Sequence, residues 1–207
     1  MKSVLVGFEE SQAVTKAFRR LGFNAYSNDI KQCTGGHPEW HLRMDIFEAL
    51  ESDDWDLIIL HPPCTAIAVS GNSTYAKGKE KEQERIDAVK FTQEVWDKAT
   101  KICGHVALEN PVGCLNTLGV FPKPQYIQPY QFGHRESKKT GLWLYNLPEL
   151  IPTKIMLPNE NGRWDNQTPS GQNKLGPSPE RATIRSKTYE GIADAMARQW
   201  GFHILYN

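Results

Sequence analysis

Short apolar runs recur through the first half of the chain with helical patterns between them. Residues 3–7 (SVLVG) and 56–60 (DLIIL) lack the alternation of a half-solvated strand, so they read as strands buried on both faces of a parallel sheet. Between them, Val14, Ala17, Phe18 and Leu21 fall at helical spacing, with Ser11 as the predicted N-cap and Gly22 as the stop. Residues 24–27 (NAYS) predict a second strand ending at Asn28-Asp29, the turn-rich TGGHPEW follows, and HLRMDI brings Asp45 to a loop before a short helix at 47–50. The strongest helix signal spans 78–102, where Ile86, Val89, Val95 and Ile102 stand on a charged background, and HVALENP is a further strand ending at Glu109. A last helix is expected at 189–200, with FHILY closing the chain as a strand. Strands alternating with helices predict a doubly wound, mostly parallel α/β sheet.

Composition adds little until residue 145. From there to 184 the chain is rich in Pro, Gly and Asn and nearly aperiodic, which predicts a long irregular excursion over the surface. The 207 residues suit one domain, and the 24 basic and 24 acidic side chains leave no net field to draw nucleic acid, although Arg135, Lys138 and Lys139 form a local basic cluster. No apolar run approaches the roughly 18 residues of a membrane span, and MKSVLVGFEES lacks a signal-peptide layout. Cys33, Cys64, Cys103 and Cys114 contain no CxxC pair, the expectation for reduced thiols in a cytoplasmic protein.

The chemistry collects where predicted strands end, the edge at which open α/β sheets bind ligands. The first turn, VGFEESQAVTKAF, carries neither a dinucleotide fingerprint nor a phosphate-binding loop. It sets Glu9 and Glu10 where a pyrophosphate would lie, and carboxylates there repel phosphate but accept an ammonium and a sulfonium. Asp29, after the second strand, is placed for ribose hydroxyls, and Asp45, after the third, for an adenine amino group; together they favour S-adenosylmethionine, the alternative being solvated loop acids. Beyond DLIIL, the prolines of HPPC stiffen the backbone that carries Cys64. A lone cysteine at a strand end is usually a small buried hydrophobe, but this one is carried at the edge of the sheet where ligands bind. The loop SGNSTYAKGKEK, with Lys77, Lys79 and Lys81, is a candidate mobile cover or a solvated charged loop. Cys33, His37 and His41 have a spacing zinc accepts, but Gly35, Gly36 and Pro38 break the helix that would align them, so no metal is expected. His61 and His134 read as pocket or structural histidines.

In this order the motifs resemble those of the DNA cytosine-5 methyltransferases over roughly 3–145 and 185–200. VLVGFEESQAVTKAFRRLGF resembles their first, cofactor-holding motif, SNDI the acidic ribose motif and MDI the adenine contact. PPCTAIAVSG resembles the Pro-Cys nucleophile motif, ALENP the Glu-Asn-Val motif, and QFGHRESKKTGLWL the Gln-x-Arg-x-Arg region. TYEGIADAMARQW sits where the last motif returns a helix to the cofactor. The departures are GFEES in the first turn, Pro111 for the usual valine, an altered basic spacing, and only 146–184 in place of a large target-recognition domain.

The resemblance implies a Rossmann-like class I S-adenosylmethionine-dependent fold in one catalytic domain, 1–207. Cys64 would be the nucleophile, activated by a lowered pKa, and Glu109 an acid of raised pKa, with Arg135, Lys138 and Lys139 holding the base carbonyl or a phosphate. Gly7, Phe8, Glu9, Ser11, Asp29, Ile30, Asp45, Ile46, Pro62 and Gly191 would line the cofactor site. The expected partner is DNA with its target base flipped or single-stranded, read with relaxed specificity. A monomer is expected, in the host cytoplasm if the source is a phage. Two alternatives stand beside this: a pyrimidine C5 methyltransferase acting on RNA or a free nucleotide, and a non-catalytic cofactor- or DNA-binding partner subunit.

Overall fold

A computed structural model describes residues 1–170, 173–176 and 181–206. Its strands are β1 (Ser3–Gly7), β2 (Asn24–Asn28), β3 (His41–Leu42), β4 (Leu57–Leu60), β5 (Val106–Pro111), β6 (Gln125–Ile127) and β7 (Thr140–Tyr145). The helices are α1 (Ala13–Arg20), α2 (Ile46–Glu51), α3 (Asn72–Tyr75), α4 (Glu82–Ile102), α5 (Arg181–Ser186) and α6 (Glu190–Tyr206). All seven strands form one sheet in the order β3-β2-β1-β4-β5-β7-β6, parallel except where β7 runs antiparallel to both neighbours. This is the doubly wound, Rossmann-like class I form that the motifs imply.

Two apolar layers explain why DLIIL and SVLVG carry no polar alternation. Val4, Val6, Leu57, Ile59, Ala107 and Leu142 point to the side covered by α1 and α6. Leu5, Ile58, Leu60, Val106, Leu108 and Trp143 point to the side covered by α2 and α4. Alternate residues of each central strand thus serve opposite cores, and every position must be apolar.

The chain departs from the sequence expectations in three places. FHILY does not form a strand; it is the last turn and a half of α6. Met196, Trp200 and Ile204 repeat every fourth residue at 0%, 0% and 2% exposure, so the buried stripe of the helix runs through it. A five-residue apolar run cannot by itself separate the two periods. Trp200 Nε1 also donates to the carbonyl of Pro148 (3.0 Å), tying α6 to the end of β7; truncating it to Ala would cost about 3–5 kcal/mol.

Secondly, β6 and β7 were not read as strands, because QYI is too short to show a pattern and TGLWLY follows the polar RESKK. Thirdly, the loop after Cys64 is folded rather than open. It forms two helical turns, including α3, which Arg85 of α4 holds through the Ala66 carbonyl (2.7 Å) and the Asn72 side chain (2.9 Å).

The excursion beyond β7 is irregular, as expected, yet it is tied along the edge of the sheet. Leu150 exchanges two bonds with the Gln125 side chain (2.8 and 2.9 Å), Ile151 two with Gln199 (both 2.8 Å), and Met156 N donates to the Tyr130 carbonyl (2.7 Å). Tyr130 and Trp164 stack at 4.3 Å, and Asn166 exchanges two bonds with the Ser137 backbone (2.8 and 3.1 Å). Residues 171, 172 and 177–180 of the excursion lie outside the described residues.

Candidate active site

The carboxyl edge of the parallel strands gathers most of the residues singled out in the sequence, in two groups. The first lies at the ends of β1, β2 and β3. Gly7 is closely packed: a Cβ there would sit 2.7 Å from Ile46 Cδ1, which would have to shift. Phe8 follows at φ 62°, a left-handed conformation costing a non-glycine residue about 1–2 kcal/mol, with its ring edge-on to Phe91. The turn is held by Glu9 N donating to the Asn28 carbonyl (2.8 Å).

Glu9 is 4% exposed, and its carboxylate faces α1. It accepts from Val14 N (2.6 Å), Thr15 N (3.1 Å) and the Thr15 hydroxyl (2.7 Å). The capping position is Gln12, also left-handed at φ 56°, not Ser11, and the orphan N–H groups of α1 are satisfied by Glu9 from outside the helix. Burial pushes the Glu9 pKa above the ordinary carboxylate range, against His61, Thr15 and the Val14 and Thr15 N–H groups, which pull it down.

At the end of β2, Asp29 is partly exposed and accepts from Lys31 N (2.9 Å), and Ile30 beside it is 71% exposed. Asp45 is exposed and caps α2 by accepting from Phe47 N (2.8 Å), while Ile46 turns into the core. Two accessible carboxylates flanking an exposed aliphatic surface match the needs of a nucleoside: acceptors for hydroxyl and amino groups, and an apolar face for a ring.

The second group lies at the ends of β4, β5 and β7. The parallel register pairs Leu60 with Leu108, so the next residues, His61 and Glu109, leave neighbouring strands side by side. His61 Nδ1 lies 3.0 Å from Glu109 Oε2, with both side chains largely buried. Asn110 is fully buried, and its Nδ2 donates to the Pro62 carbonyl (3.0 Å), clamping the turn that carries Cys64. The Cys64 carbonyl then accepts from Ile67 N (3.1 Å) and Ala68 N (2.8 Å).

Two pKa expectations are reversed here. Burial would raise the Glu109 pKa, but His61, Lys138 and Thr140 outweigh it and hold the carboxyl below the ordinary range. The Cys64 thiol is pushed up, first by burial and then by the charge of Glu109, against Lys138, its own backbone N–H and Arg185. The resting pair is therefore a carboxylate beside a thiol.

Of the three basic residues, Lys138 is the one whose charge bears on Glu109 and Cys64, and its Nζ donates to the Arg185 carbonyl (2.7 Å). Lys139 is exposed over the Tyr126 ring at 4.3 Å, and Arg135 is exposed with its carbonyl accepting from Asp165 N (2.8 Å). Gly191 opens α6 with its N–H donating to His134 Nε2 (3.0 Å), and a Cβ there would lie 1.8 Å from the Phe132 carbonyl oxygen. Ser11 is partly exposed and weakly accepts from Ala13 N (3.5 Å).

His37 stacks on Trp40, and His41 is bonded through one ring nitrogen to Ser27 (2.8 Å) and through the other to the Lys31 carbonyl (2.8 Å). Among the described residues no three His, Cys, Asp or Glu side chains converge as a metal site. Asn110 and Thr140 are additions to the site, and His61, read from the sequence as a pocket or structural histidine, gains its partner Glu109. The equal offset of His61 and Glu109 from two apolar runs is the signal that could have found this pairing.

No protein-family model matches the sequence, and no curated protein matches it. Solved structures do resemble the fold. One is described as a DNA modification methyltransferase encoded within a prophage (E. coli), with 14% identity over 76% of this chain and 53% of that one, at a TM-score of 0.49. Another is a triple mutant of Spodoptera frugiperda DNMT2, with 15% identity, 76% and 57% coverage and a TM-score of 0.49. A third is S. pombe Dnmt2 methyltransferase, with 15% identity, 72% and 51% coverage and a TM-score of 0.46. This chain spans about half the length of these structures.

Proposed function

We propose that this chain transfers a methyl group from S-adenosylmethionine to C5 of cytosine in DNA, through a covalent bond between Cys64 and C6 of the base. The observation that carries the reading is the coupling of Cys64 and Glu109 at the ends of two adjacent parallel strands, in the motif order of the cytosine-5 methyltransferases.

Cytosine C5 is a weak nucleophile until a thiolate adds at C6 and turns the ring into an enamine. The carboxylate of Glu109 takes the thiol proton of Cys64 and, as the acid, passes it to N3 while Sγ bonds C6. This also removes the negative charge that opposes ionisation of Cys64. After methylation the C5 proton leaves to a water, the N3 proton returns through Glu109, and Sγ is expelled. Lys138 offsets the charge on Glu109, and Asn110 keeps the Cys64 turn in place.

The residues at the first three strand ends fit the cofactor, which supplies an electrophilic methyl on a sulfonium. Asp29, Ile30 and Asp45 would hold its adenosine. Glu9 would add negative charge behind the first turn without contacting an ammonium directly, because its oxygens hold α1. We further take 1–207 as one catalytic domain, with 146–184 standing in for a target-recognition domain beside the exposed Arg135 and Lys139.

The test is incubation with methyl-labelled S-adenosylmethionine and duplex DNA, single-stranded DNA, RNA or free cytidine nucleotide, followed by nucleoside mass spectrometry. Labelled 5-methylcytosine in DNA, lost in Cys64→Ala, is expected. Label confined to RNA or nucleotide would move the substrate. Its absence from all four, with cofactor still bound, would refute the enzyme reading in favour of a partner subunit.

A further inference from the structure

The reading of Glu109 leaves His61 unexplained. The side chain of the histidine is 9% exposed, and its backbone N–H donates to the Gly7 carbonyl (3.0 Å), so it is pinned between β1 and β5. One ring nitrogen meets Glu109 Oε2 at 3.0 Å, and the other, Nε2, is buried with no hydrogen-bond partner among the described residues. Buried polar atoms are nearly always satisfied, so a residue held with one orphan nitrogen is kept for what the other does. A packing role alone would be met by an apolar side chain without that orphan.

We propose that His61 is the positioning residue of the site: its Nδ1–H fixes Glu109 Oε2, leaving Oε1 as the oxygen that exchanges a proton with the target base. The inference rests on the reading of Glu109 given above. The geometry has a simple origin, because the β4–β5 register carries both side chains out of the sheet at the same level. His61 fixes one oxygen from the β4 side, and Thr140 bonds the same carboxylate from the β7 side, so loss of His61 removes the stronger of two anchors and frees Glu109 to turn about the other.

The groups facing the pair come from four elements. Glu9 lies on the far side of His61 at the end of β1; Cys64 follows in the turn after β4. Lys138 and Thr140 reach Glu109 from the β7 side, and Tyr189, just before α6, lines the same small cleft. Loss of His61 removes both its hydrogen bond and its charge from Glu109 and leaves burial opposed only by Lys138 and Thr140, so the Glu109 carboxyl should titrate at higher pH.

Two variants test this. His61→Leu fills much of the same space without a donor; His61→Asn keeps an N–H near the Nδ1 position. With cytosine-containing duplex and labelled S-adenosylmethionine, His61→Leu should lower kcat about a hundredfold with KM little changed, the scale for a misplaced reacting group, and His61→Asn should recover most of it. Titration of the Glu109 carboxyl by 13C NMR in the substrate-free protein should move up in His61→Leu and move less in His61→Asn, which restores the hydrogen bond but not the charge. This second measurement needs no methyl transfer, so it decides the pairing even where the activity assay is blank for every substrate. Equal Glu109 titration in wild type and His61→Leu, or a His61→Asn enzyme as slow as His61→Leu, would overturn the proposal.

Discussion

Glu9 and Glu109 stand on opposite sides of one histidine, each largely out of water, yet their pKa values move in opposite directions. Burial raises both. Around Glu9, the opposing groups are the charge of His61, a threonine hydroxyl and two backbone N–H groups, and burial prevails. Around Glu109, His61 bonds directly and Lys138 adds a full positive charge, and burial is outweighed. Glu9 turns inward and finishes a helix; Glu109 is kept charged at the edge of a cleft, and under the proposed function it is the carboxyl that meets the base.

The largest effect that would break this comparison is on activity. Glu109→Gln should lose about 100- to 10,000-fold in kcat, the range for removing a general acid–base group, with activity rather than Tm carrying most of the effect. Glu9→Ala should do the reverse. It removes a cap worth about 1 kcal/mol and strands buried donors at about 1–3 kcal/mol, so Tm should fall by several degrees at about 2–4 °C per kcal/mol. If Glu9→Ala instead lost cofactor affinity without loss of Tm, Glu9 would belong to the ligand and not to α1.

Opposite pH slopes sharpen the contrast. A depressed folded pKa stabilises above the ordinary carboxylate value of about 4.3, and that contribution is lost as pH falls through the folded pKa. The stability gap between wild type and Glu109→Gln should therefore narrow on acidification below about 4.3. A raised folded pKa stabilises below the ordinary value and is lost as pH rises through the folded one, so the gap for Glu9→Gln should narrow as pH climbs above about 4.3. Denaturant melts at several pH values read both slopes; parallel slopes would contradict the assignment.

The smallest predicted difference is between neighbouring lysines. Lys138→Ala should slow transfer about tenfold, roughly 1.4 kcal/mol on the barrier, whereas Lys139→Ala, exposed over Tyr126, should stay within about twofold.

Much of this was legible in the sequence, for definite reasons. LIIL (57–60) and VAL (106–108) are apolar throughout because alternate residues feed two cores, which marks them as central strands and puts Cys64 and Glu109 at their exits. What stayed hidden depends on register or on long-range partners. His61 and Glu109 are 48 residues apart and meet only once β4 and β5 are aligned. Glu9 resembled a ligand-facing acid because its distance from Val14 and Thr15 closes only when Phe8 and Gln12 turn left-handed. FHILY looked like a strand because its buried position, Ile204, shows its period only against Met196 and Trp200. The direction of the pKa shifts at Cys64 and Glu109 was out of reach, since Glu109 depends on His61 and Lys138, and Cys64 on Glu109 and Lys138.

The central claim is a covalent bond from Cys64 to the target base, and a duplex in which 5-fluorocytosine replaces cytosine tests it directly. Fluorine at C5 cannot leave as a proton does, so the adduct persists after methyl transfer. Incubation with S-adenosylmethionine, denaturation and intact-mass measurement should yield a protein–oligonucleotide species whose modified peptide contains Cys64, absent in Cys64→Ala and much slower to form in Glu109→Gln. Methyl transfer to normal cytosine with no trapped species, or a species mapping to Cys33, Cys103 or Cys114, would contradict it.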